Sequence, residues 1–187
     1  RPIGFFDSGL GGLTCIASVS RRLPHEDIIY FGDTARTPYG SKSVKTIQRF
    51  SAEICDFLLQ KNVKMIVIAC NSVSATSLGF LREKYKDLPI VGIIESATEK
   101  AIDDAKEGNK IGIIGTKATI SSMAYKNIIE QSVEGADVAQ KACPAFVPLI
   151  EEGIIENDIM NLSVKYYLDH FIAENRINTL VLGCTHY

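Results

Sequence analysis

Two cysteines with polar neighbours are the residues in this sequence best suited to chemistry. Cys70 lies in VIACNS and Cys184 in LVLGCTHY, so each follows an apolar run that predicts a buried strand. A free cysteine is most often a small buried hydrophobe, but a core position would not require the polar residues that come next. A helix starting there would place backbone N–H groups beside the sulfur and lower the pKa of the thiol. We therefore expect two reactive thiols.

Two carboxylates occupy similar positions after other predicted strands. Asp7 directly follows Ile3–Phe6, and Asp33 follows Ile28–Phe31 after one glycine. Ligands of open parallel sheets bind beyond the carboxyl ends of the strands, where the loops and helix N-termini gather. If two halves of the chain face each other, both thiols and both carboxylates converge on one cleft.

Two loops accompany these residues. The glycines of DSGLGG, residues 7–12, would let backbone amides approach an anion, and we favour this anion-binding role over a simple tight strand-to-helix turn, which needs the same glycines. Neither G-x-G-x-x-G nor a P-loop is present. The segment TPYGS, residues 37–41, predicts a loop before a long helix, and taken alone Tyr39 is interpreted as a surface ring.

The elements that position these residues alternate between strand and helix, which is typical of an α/β fold with parallel sheets. Apolar runs predict seven strands: Ile3–Phe6, Ile28–Phe31, Met65–Ala69, Ile90–Ile93, Ile111–Ile114, Val138–Lys141 and Thr179–Leu182. Three- and four-residue spacing predicts helices over 41–60, 75–85, 97–107, 120–129 and 159–173. The cysteine-ended strands suggest two similar domains, 1–94 and 95–187, meeting near Gly92–Ser96.

The other cysteines and histidines are assigned no chemistry. With five widely spaced cysteines and no CxxC pair, neither a disulfide framework nor a zinc site is indicated. Cys15, Cys55 and Cys143 are interpreted as structural, and His25 and His170 as solvated. His186 beside Cys184 suggests a cysteine-hydrolase dyad, but such partners usually come from distant positions in the sequence.

Composition narrows the functional class. Hydrophobic residues make up 46% of the 187, yet no apolar run approaches the roughly 20 residues that span a bilayer. The beginning, RPIGFFDSGLGG, has no secretory signal pattern, so we expect a cytoplasmic protein. A net charge of −2 with dispersed Lys and Arg gives no basic stripe for nucleic acid.

Six motifs along the chain resemble those of glutamate racemases, in the cofactor-independent aspartate/glutamate racemase superfamily. They are FFDSGLGGLT, YFGDTARTPYGSKS, VIACNSVSAT, GIIGTKAT, FVPLIEEG and LVLGCTHY. The resemblance implies two similar α/β domains with the active site between them, no metal or other cofactor, and interconversion of L- and D-glutamate for peptidoglycan. It also implies a homodimer.

The resemblance assigns roles to individual residues. Cys70 and Cys184 would be the acid/base pair on opposite faces of the α-carbon, assisted by Asp7 and His186 respectively, with Asp33 and Glu151 as further polar support. Substrate would be held by Asp7, Ser8, Tyr39, Gly40, Asn71, Ser72, Thr185 and His186. The donors in this set are mainly hydroxyls, amides and backbone N–H groups, so we expect no arginine clamp, although Arg36 lies near a strand end.

The sequence departs from the family pattern in two ways. Ser72 stands where threonine is common, and the family continues for roughly a third more chain beyond the last motif, so we expect the second domain to be incomplete here. Three alternatives stay open: a racemase of aspartate or another acidic amino acid, a non-catalytic acidic amino-acid binding module, and a cysteine hydrolase.

Overall fold

The computed structural model describes residues 1–187 as two compact units, Arg1–Ile93 and Ile94–Tyr187. Each unit is a parallel sheet with helices between its strands, so the predicted α/β class with parallel sheets is confirmed. None of the helices combines the length and apolar character needed to cross a membrane.

The first unit has four strands in the order β2-β1-β3-β4. Its elements are β1 (Ile3–Asp7), α1 (Leu13–Arg22), β2 (Ile28–Gly32), α2 (Val44–Gln60), β3 (Met65–Ile68), α3 (Asn71–Lys84) and β4 (Ile90–Gly92). The central strand β1 is buried at all five positions. Its residues before Asp7 are all apolar, as expected where helices cover both faces of a parallel sheet.

The second unit has three strands in the order β6-β5-β7. Its elements are α4 (Ile94–Lys106), β5 (Ile111–Gly115), α5 (Lys117–Ser121), α6 (Ala124–Ser132), β6 (Val138–Ala142), α7 (Phe146–Glu151), α8 (Asp158–Asn175) and β7 (Thr179–Gly183). The buried strand β5 occupies the centre, as β1 does in the first unit.

The two units repeat one strand order. In each, the first strand is central, the second pairs on one side and the third on the other, so β6-β5-β7 corresponds to β2-β1-β3. The loops after the second strands also match, since Asp33 N–H donates to Asp7 C=O at 3.0 Å and Cys143 N–H donates to Gly115 C=O at 2.9 Å. Cys70 and Cys184 therefore follow equivalent strands.

All seven predicted strands are present to within one residue at each end, whereas the helices differ more, and most clearly in three places. α3 begins at Asn71 rather than near residue 75, because its first turn is polar although buried. The predicted helix over 120–129 is two helices, separated at Met123, whose φ is 60°. α7 was not predicted: Pro148 interrupts its pattern, although proline is tolerated in a first turn, where N–H groups have no intrahelical acceptor.

The helix α2 shows how the first core forms. Ser43 caps it by accepting a hydrogen bond from Thr46 N–H at 3.2 Å, which satisfies one of the free donors at the helix start. One face then buries Ile47, Ile54 and Leu58 against the sheet. Leu58 Cδ1 lies 3.3 Å from the position a Cβ would occupy on Gly4, so this helix packs directly on β1.

This packing predicts that substitutions of two neighbouring leucines will lower the free energy of unfolding by different amounts. Leu58 is fully buried, whereas Leu59 is 38% exposed. Leu58→Ala should lower the free energy of unfolding by about 3 kcal/mol, because it removes buried methyl groups and leaves a cavity, and the matched Leu59→Ala by less than about 1 kcal/mol. Urea denaturation followed by circular dichroism measures both, and equal losses would contradict the described packing.

Candidate active site

Cys70 lies where β3 gives way to α3, as the N-cap residue of that helix. Its side chain is buried, with only 4% exposed, and its Sγ lies 3.5 Å from Ser8 Oγ. Ser8 belongs to the loop after β1, the strand that pairs with β3. Parallel pairing of β1 and β3 therefore brings DSGLGG to the thiol.

The expectation that Cys70 has a lowered pKa is wrong, although the helix start does act in that direction. Burial, and to a lesser extent the negative charge of Asp7, raise the pKa of this thiol to about 12. Hydrogen bonds from the Ser8 hydroxyl and from the backbone N–H groups of Val73 and Ser8 act in the opposite direction but are outweighed. Loss of solvation is the larger effect because little water reaches the sulfur.

Asp7 is fully buried at the end of β1. Its Oδ2 accepts a hydrogen bond from Gly12 N–H at 2.9 Å, and its Oδ1 receives none from the protein. A Cβ on Gly12 would lie 2.8 Å from the Cβ atoms of both Asp7 and Ala69, so only glycine fits here. DSGLGG is thus the tight strand-to-helix turn considered from the sequence, with one of its N–H groups used by Asp7 itself.

Asp33 follows β2 and lies in a small polar network. Its Oδ2 accepts hydrogen bonds from Arg36 Nε, at 2.6 Å, and from the Tyr39 hydroxyl. Tyr39 is only 1% exposed, so its interpretation as a surface ring is wrong. Burial and the bond to Asp33 both raise the pKa of Tyr39. Gly40, next in the chain, is half-buried.

The other predicted substrate-binding residues of this unit begin α3. Asn71 and Ser72 are both buried in the first turn of the helix. Ser74, which the sequence analysis did not single out, fixes this turn: its Oγ donates to Ile68 C=O at 3.1 Å and accepts from Ile93 N–H at 3.3 Å. The serines of SVSAT are compatible with such hydrogen bonds, but no spacing rule identifies Ser74 from the sequence.

Cys184 directly follows β7 in the second unit and is half-buried. Its Sγ lies 3.7 Å from His186 Nδ1, and His186 Nε2 lies 2.5 Å from Glu151 Oε1. With Nε2–H donating to the carboxylate, Nδ1 is free to accept a proton from the thiol. Glu151 ends α7, the helix missing from the sequence prediction, and Thr185 lies between the cysteine and the histidine.

The close contact of Cys184 with His186 corrects one step of the sequence reasoning. Adjacency in sequence argues against a cysteine–histidine pair, yet the turn after β7 brings the two side chains together. This turn is closed by Tyr187 N–H, which donates to Cys184 C=O at 3.3 Å. A carboxylate, an imidazole and a thiol in a row are also what a cysteine hydrolase uses. Local geometry alone therefore does not separate the two reaction classes.

The remaining cysteines and histidines lie where the sequence placed them. Cys55 and Cys143 are buried, Cys15 is half-buried in α1, and no disulfide is formed. His25 and His170 are exposed.

Arg36 is not positioned as a free substrate clamp. Its Nε donates to Asp33 and its Nη1 to Glu53 Oε2, so both sides of the guanidinium are engaged. The absence of an arginine among the predicted substrate ligands is consistent with this arrangement. Sequence reasoning missed Glu53 because it belongs to α2, well beyond the motif that contains Arg36.

Comparison with known proteins distinguishes a racemase from a cysteine hydrolase. Residues 13–187 match the family described as Asp/Glu/Hydantoin racemase. The chain is 48% identical to the glutamate racemase of Chlorobaculum tepidum over 186 residues, which covers all of this chain and 68% of that protein.

Two solved structures are similar over the whole chain. Glutamate racemase from Francisella tularensis, in complex with D-glutamate, is 43% identical with a TM-score of 0.90, and the match covers 69% of that chain. The Thermus thermophilus enzyme, in complex with β-chloro-D-alanine, is 43% identical with a TM-score of 0.79, and 68% of it is covered. The protein therefore belongs to the Asp/Glu/hydantoin racemase family, among its glutamate racemases.

Proposed function

We propose that this chain interconverts L- and D-glutamate by moving the α-proton between two thiols, those of Cys70 and Cys184. One observation carries the mechanism: the two cysteines follow equivalent strands of two sheets with the same order, and each has its own polar partners. Inverting a stereocentre requires a base on one face and an acid on the other. One thiol on each face of the α-carbon would supply both.

Cys70 would act as a strong base once it is deprotonated. A pKa of about 12 means that forming its thiolate near pH 8 costs about 5 kcal/mol, but the resulting anion has a high affinity for a carbon-bound proton. The ammonium of a bound amino acid would offset part of this cost, since an opposite charge nearby favours the thiolate. Asp7, with one oxygen that accepts no hydrogen bond from the protein, would assist by binding that ammonium or relaying a proton.

Cys184 would exchange its proton through the neighbouring imidazole. His186 accepts the thiol proton at Nδ1, while Glu151 at Nε2 fixes the tautomer and stabilises the imidazolium that forms. Reversing the reaction exchanges the roles of thiol and thiolate. The pair returns to its starting protonation after a forward and a reverse turnover.

Substrate would be held by hydroxyl, amide and backbone donors rather than by arginine. Ser8, Asn71 and Ser72 border Cys70, and Thr185 and His186 border Cys184. The hydroxyl of Tyr39 donates to Asp33, so we infer that Tyr39 and Gly40 contribute mainly through the shape and backbone of their loop. Donors that are already in position before the reaction would stabilise the negative charge that develops as the α-proton leaves.

The wider setting follows from the glutamate racemases that this chain resembles. We propose that the product D-glutamate serves peptidoglycan synthesis, that the protein acts in the cytoplasm, and that it works as a homodimer.

The reaction predicts isotope exchange at one carbon. Incubation of the protein with L-glutamate in D2O should give D-glutamate labelled with deuterium at Cα, because the proton returned to the second face comes from a thiol that exchanges with solvent. Mass spectrometry after chiral separation measures it, with L-aspartate as the parallel substrate. Binding of glutamate by calorimetry without any exchange would instead favour a binding module, and faster exchange of aspartate would reassign the substrate.

Single cysteine variants should separate the two faces. Cys70→Ser and Cys184→Ser should each abolish racemisation, because a serine hydroxyl is a far weaker acid than a thiol. An analogue with a leaving group on Cβ needs only deprotonation, so each variant should still eliminate from the enantiomer facing its remaining cysteine. By the family resemblance, Cys70 takes the α-proton of the D form. The same enantiomer preference in both variants would exclude two bases on two faces.

Removing the charge of Asp7 should lower the pKa of Cys70. Asp7 raises the pKa of Cys70, so Asp7→Asn lowers that pKa and increases the thiolate fraction at any pH below it. Alkylation of Cys70 by iodoacetamide at pH 8 should quicken by roughly three- to tenfold, while racemisation slows. Mass spectrometry of the Cys70 peptide follows the reaction, and Asp27→Asn, at an exposed position, is the control. Slower alkylation in Asp7→Asn would contradict the assigned electrostatics.

A further inference from the structure

Tyr187 is a half-buried tyrosine whose side chain the proposed mechanism does not use. Its hydroxyl donates to Cys143 C=O at 3.2 Å, and its ring meets the Phe146 ring edge-on, with 5.4 Å between the ring centres. Its backbone N–H donates to Cys184 C=O at 3.3 Å. Tyr187 therefore joins the turn after β7, which contains Cys184, to the segment 143–146 that leads into α7.

The carbonyl of Cys143 is the point at which these contacts meet. It accepts the Tyr187 hydroxyl and also accepts Phe146 N–H, at 3.2 Å, where α7 begins. Cys143 N–H in turn donates to Gly115 C=O at 2.9 Å, at the end of the central strand β5. The Tyr187 side chain is thus joined to the start of α7 and, through the same residue, to the centre of the sheet.

Glu151, at the other end of α7, depends on how this helix is placed. α7 has only six residues, and so short a helix is held by tertiary contacts rather than by its own hydrogen bonds. Phe146 is 5% exposed and lies in the core, whereas the Glu151 side chain is 45% exposed. At about 1.5 Å per residue, the two lie about 7.5 Å apart along the helix axis. A small tilt at Phe146 would therefore move the carboxylate from His186 Nε2, now 2.5 Å away.

The hydroxyl of Tyr187 is suited to be a fixed donor rather than an acid or a base. Burial, and to a lesser extent the negative charges that Cys184 and its other ionisable neighbours can carry, raise the pKa of Tyr187. The phenol therefore keeps its proton throughout the neutral range and donates it to Cys143 C=O. Its contribution to the site is the position of the groups that it joins.

We propose that Tyr187 is a positioning residue for the Cys184 half of the reaction: it holds the start of α7 against the turn after β7, so that Glu151 and His186 stay aligned with the thiol. The proposal deepens the proposed two-thiol function and rests on it. Without the hydroxyl, α7 loses its hydrogen bond to the turn, and His186 accepts the thiol proton less readily. Cys70 has its own partners in the other unit and keeps its reactivity.

Tyr167 provides a matched control. Its ring also meets the Phe146 ring edge-on, with the same 5.4 Å between the ring centres, but it comes from α8 rather than from the turn after β7. Its hydroxyl does not bond to Cys143 C=O, which accepts from Tyr187 and Phe146. Tyr167→Phe therefore removes a hydroxyl from a similarly packed ring and leaves the contact between α7 and the turn intact.

The first measurement is alkylation of the individual thiols, which needs no substrate. Tyr187→Phe keeps the ring and removes only the donor to Cys143. Iodoacetamide at pH 8 should then modify Cys184 about three- to tenfold more slowly, the range that corresponds to one lost hydrogen bond. The rate at Cys70 should stay within about twofold, and Tyr167→Phe should leave both thiols within about twofold. Mass spectrometry follows both cysteine peptides in one sample.

The second measurement connects this alignment to the reaction, using both enantiomers of a glutamate analogue that carries chloride on Cβ. A thiolate takes the α-proton, the electrons of the C–H bond form a Cα–Cβ double bond, and chloride leaves with the electrons of the C–Cl bond. Cys70→Ser and Cys184→Ser first establish which enantiomer depends on which thiol. Tyr187→Phe should slow only the Cys184-dependent enantiomer, by about three- to tenfold, and Tyr167→Phe should slow neither.

The outcomes separate this proposal from the proposed function. If the unsubstituted protein neither racemises nor eliminates, the proposed function is wrong, and alkylation alone decides whether Tyr187 aligns the Cys184 thiol. Equal rates at Cys184 in Tyr187→Phe and Tyr167→Phe would overturn the proposal, and so would equal slowing at Cys70 and Cys184. Slower alkylation of Cys184 with unchanged elimination would also reject it.

A second variant covers failure of Tyr187→Phe to fold, which circular dichroism would reveal. Phe146→Leu fills most of the same buried volume but loses the edge-on contact with the Tyr187 ring. It should slow alkylation at Cys184 and leave Cys70 within about twofold, by the same loss of alignment. An unchanged rate at Cys184 would reject the proposal.

Discussion

The parallel pairing of β1 with its two neighbours is the constraint on which the first half of the site depends. Phe6 C=O accepts from Ala69 N–H at 2.8 Å on one side, and Asp7 C=O accepts from Asp33 N–H at 3.0 Å on the other. These two hydrogen bonds align three strand ends, so Asp7, Asp33 and Cys70 emerge at one edge of the sheet. The burial of β1 at every position makes this register costly to change, because a shift would move apolar side chains out of the core.

Burial determines how readily the thiolate of Cys70 forms and how basic it is. Cys70 and Asp7 are almost completely removed from water, which makes the thiolate hard to form but strongly basic once formed. The two nearby carboxylates, Asp33 and Asp7, have different partners. Asp33 is paired with Arg36, whereas Asp7 accepts one backbone hydrogen bond and retains an oxygen to which the protein donates nothing. A buried carboxylate without a cation is expensive in a stable core, and such sites are commonly functional.

The two units surround their equivalent cysteines with different partners. In the first, the carboxylate beside the thiol comes from the end of the neighbouring strand β1. In the second, the equivalent strand β5 ends without an acidic residue, and the carboxylate comes instead from α7 and contacts His186, which in turn lies beside Cys184. The common strand order fixes where each cysteine emerges, and the loops and short helices decide what surrounds it. This division is typical of α/β folds, in which rigid strands position residues that loops then vary.

The sequence by itself determined the strands, the α/β class and the positions of both cysteines, because buried parallel strands are short, apolar and bounded by polar or glycine residues. It also supplied the six motifs from which membership of the family was inferred. Tertiary structure alone decided three things: the high pKa of Cys70, the burial of Tyr39 against Asp33, and the alignment of Glu151, His186 and Cys184. Desolvation depends on every element packed around a group, and contacts such as that of Glu151 with His186 join residues 35 positions apart. Local sequence pattern contains neither the desolvation of a group nor such distant contacts. The polar residues after Cys70 therefore suggested a reactive thiolate, whereas the packing of the whole unit produces a buried thiol.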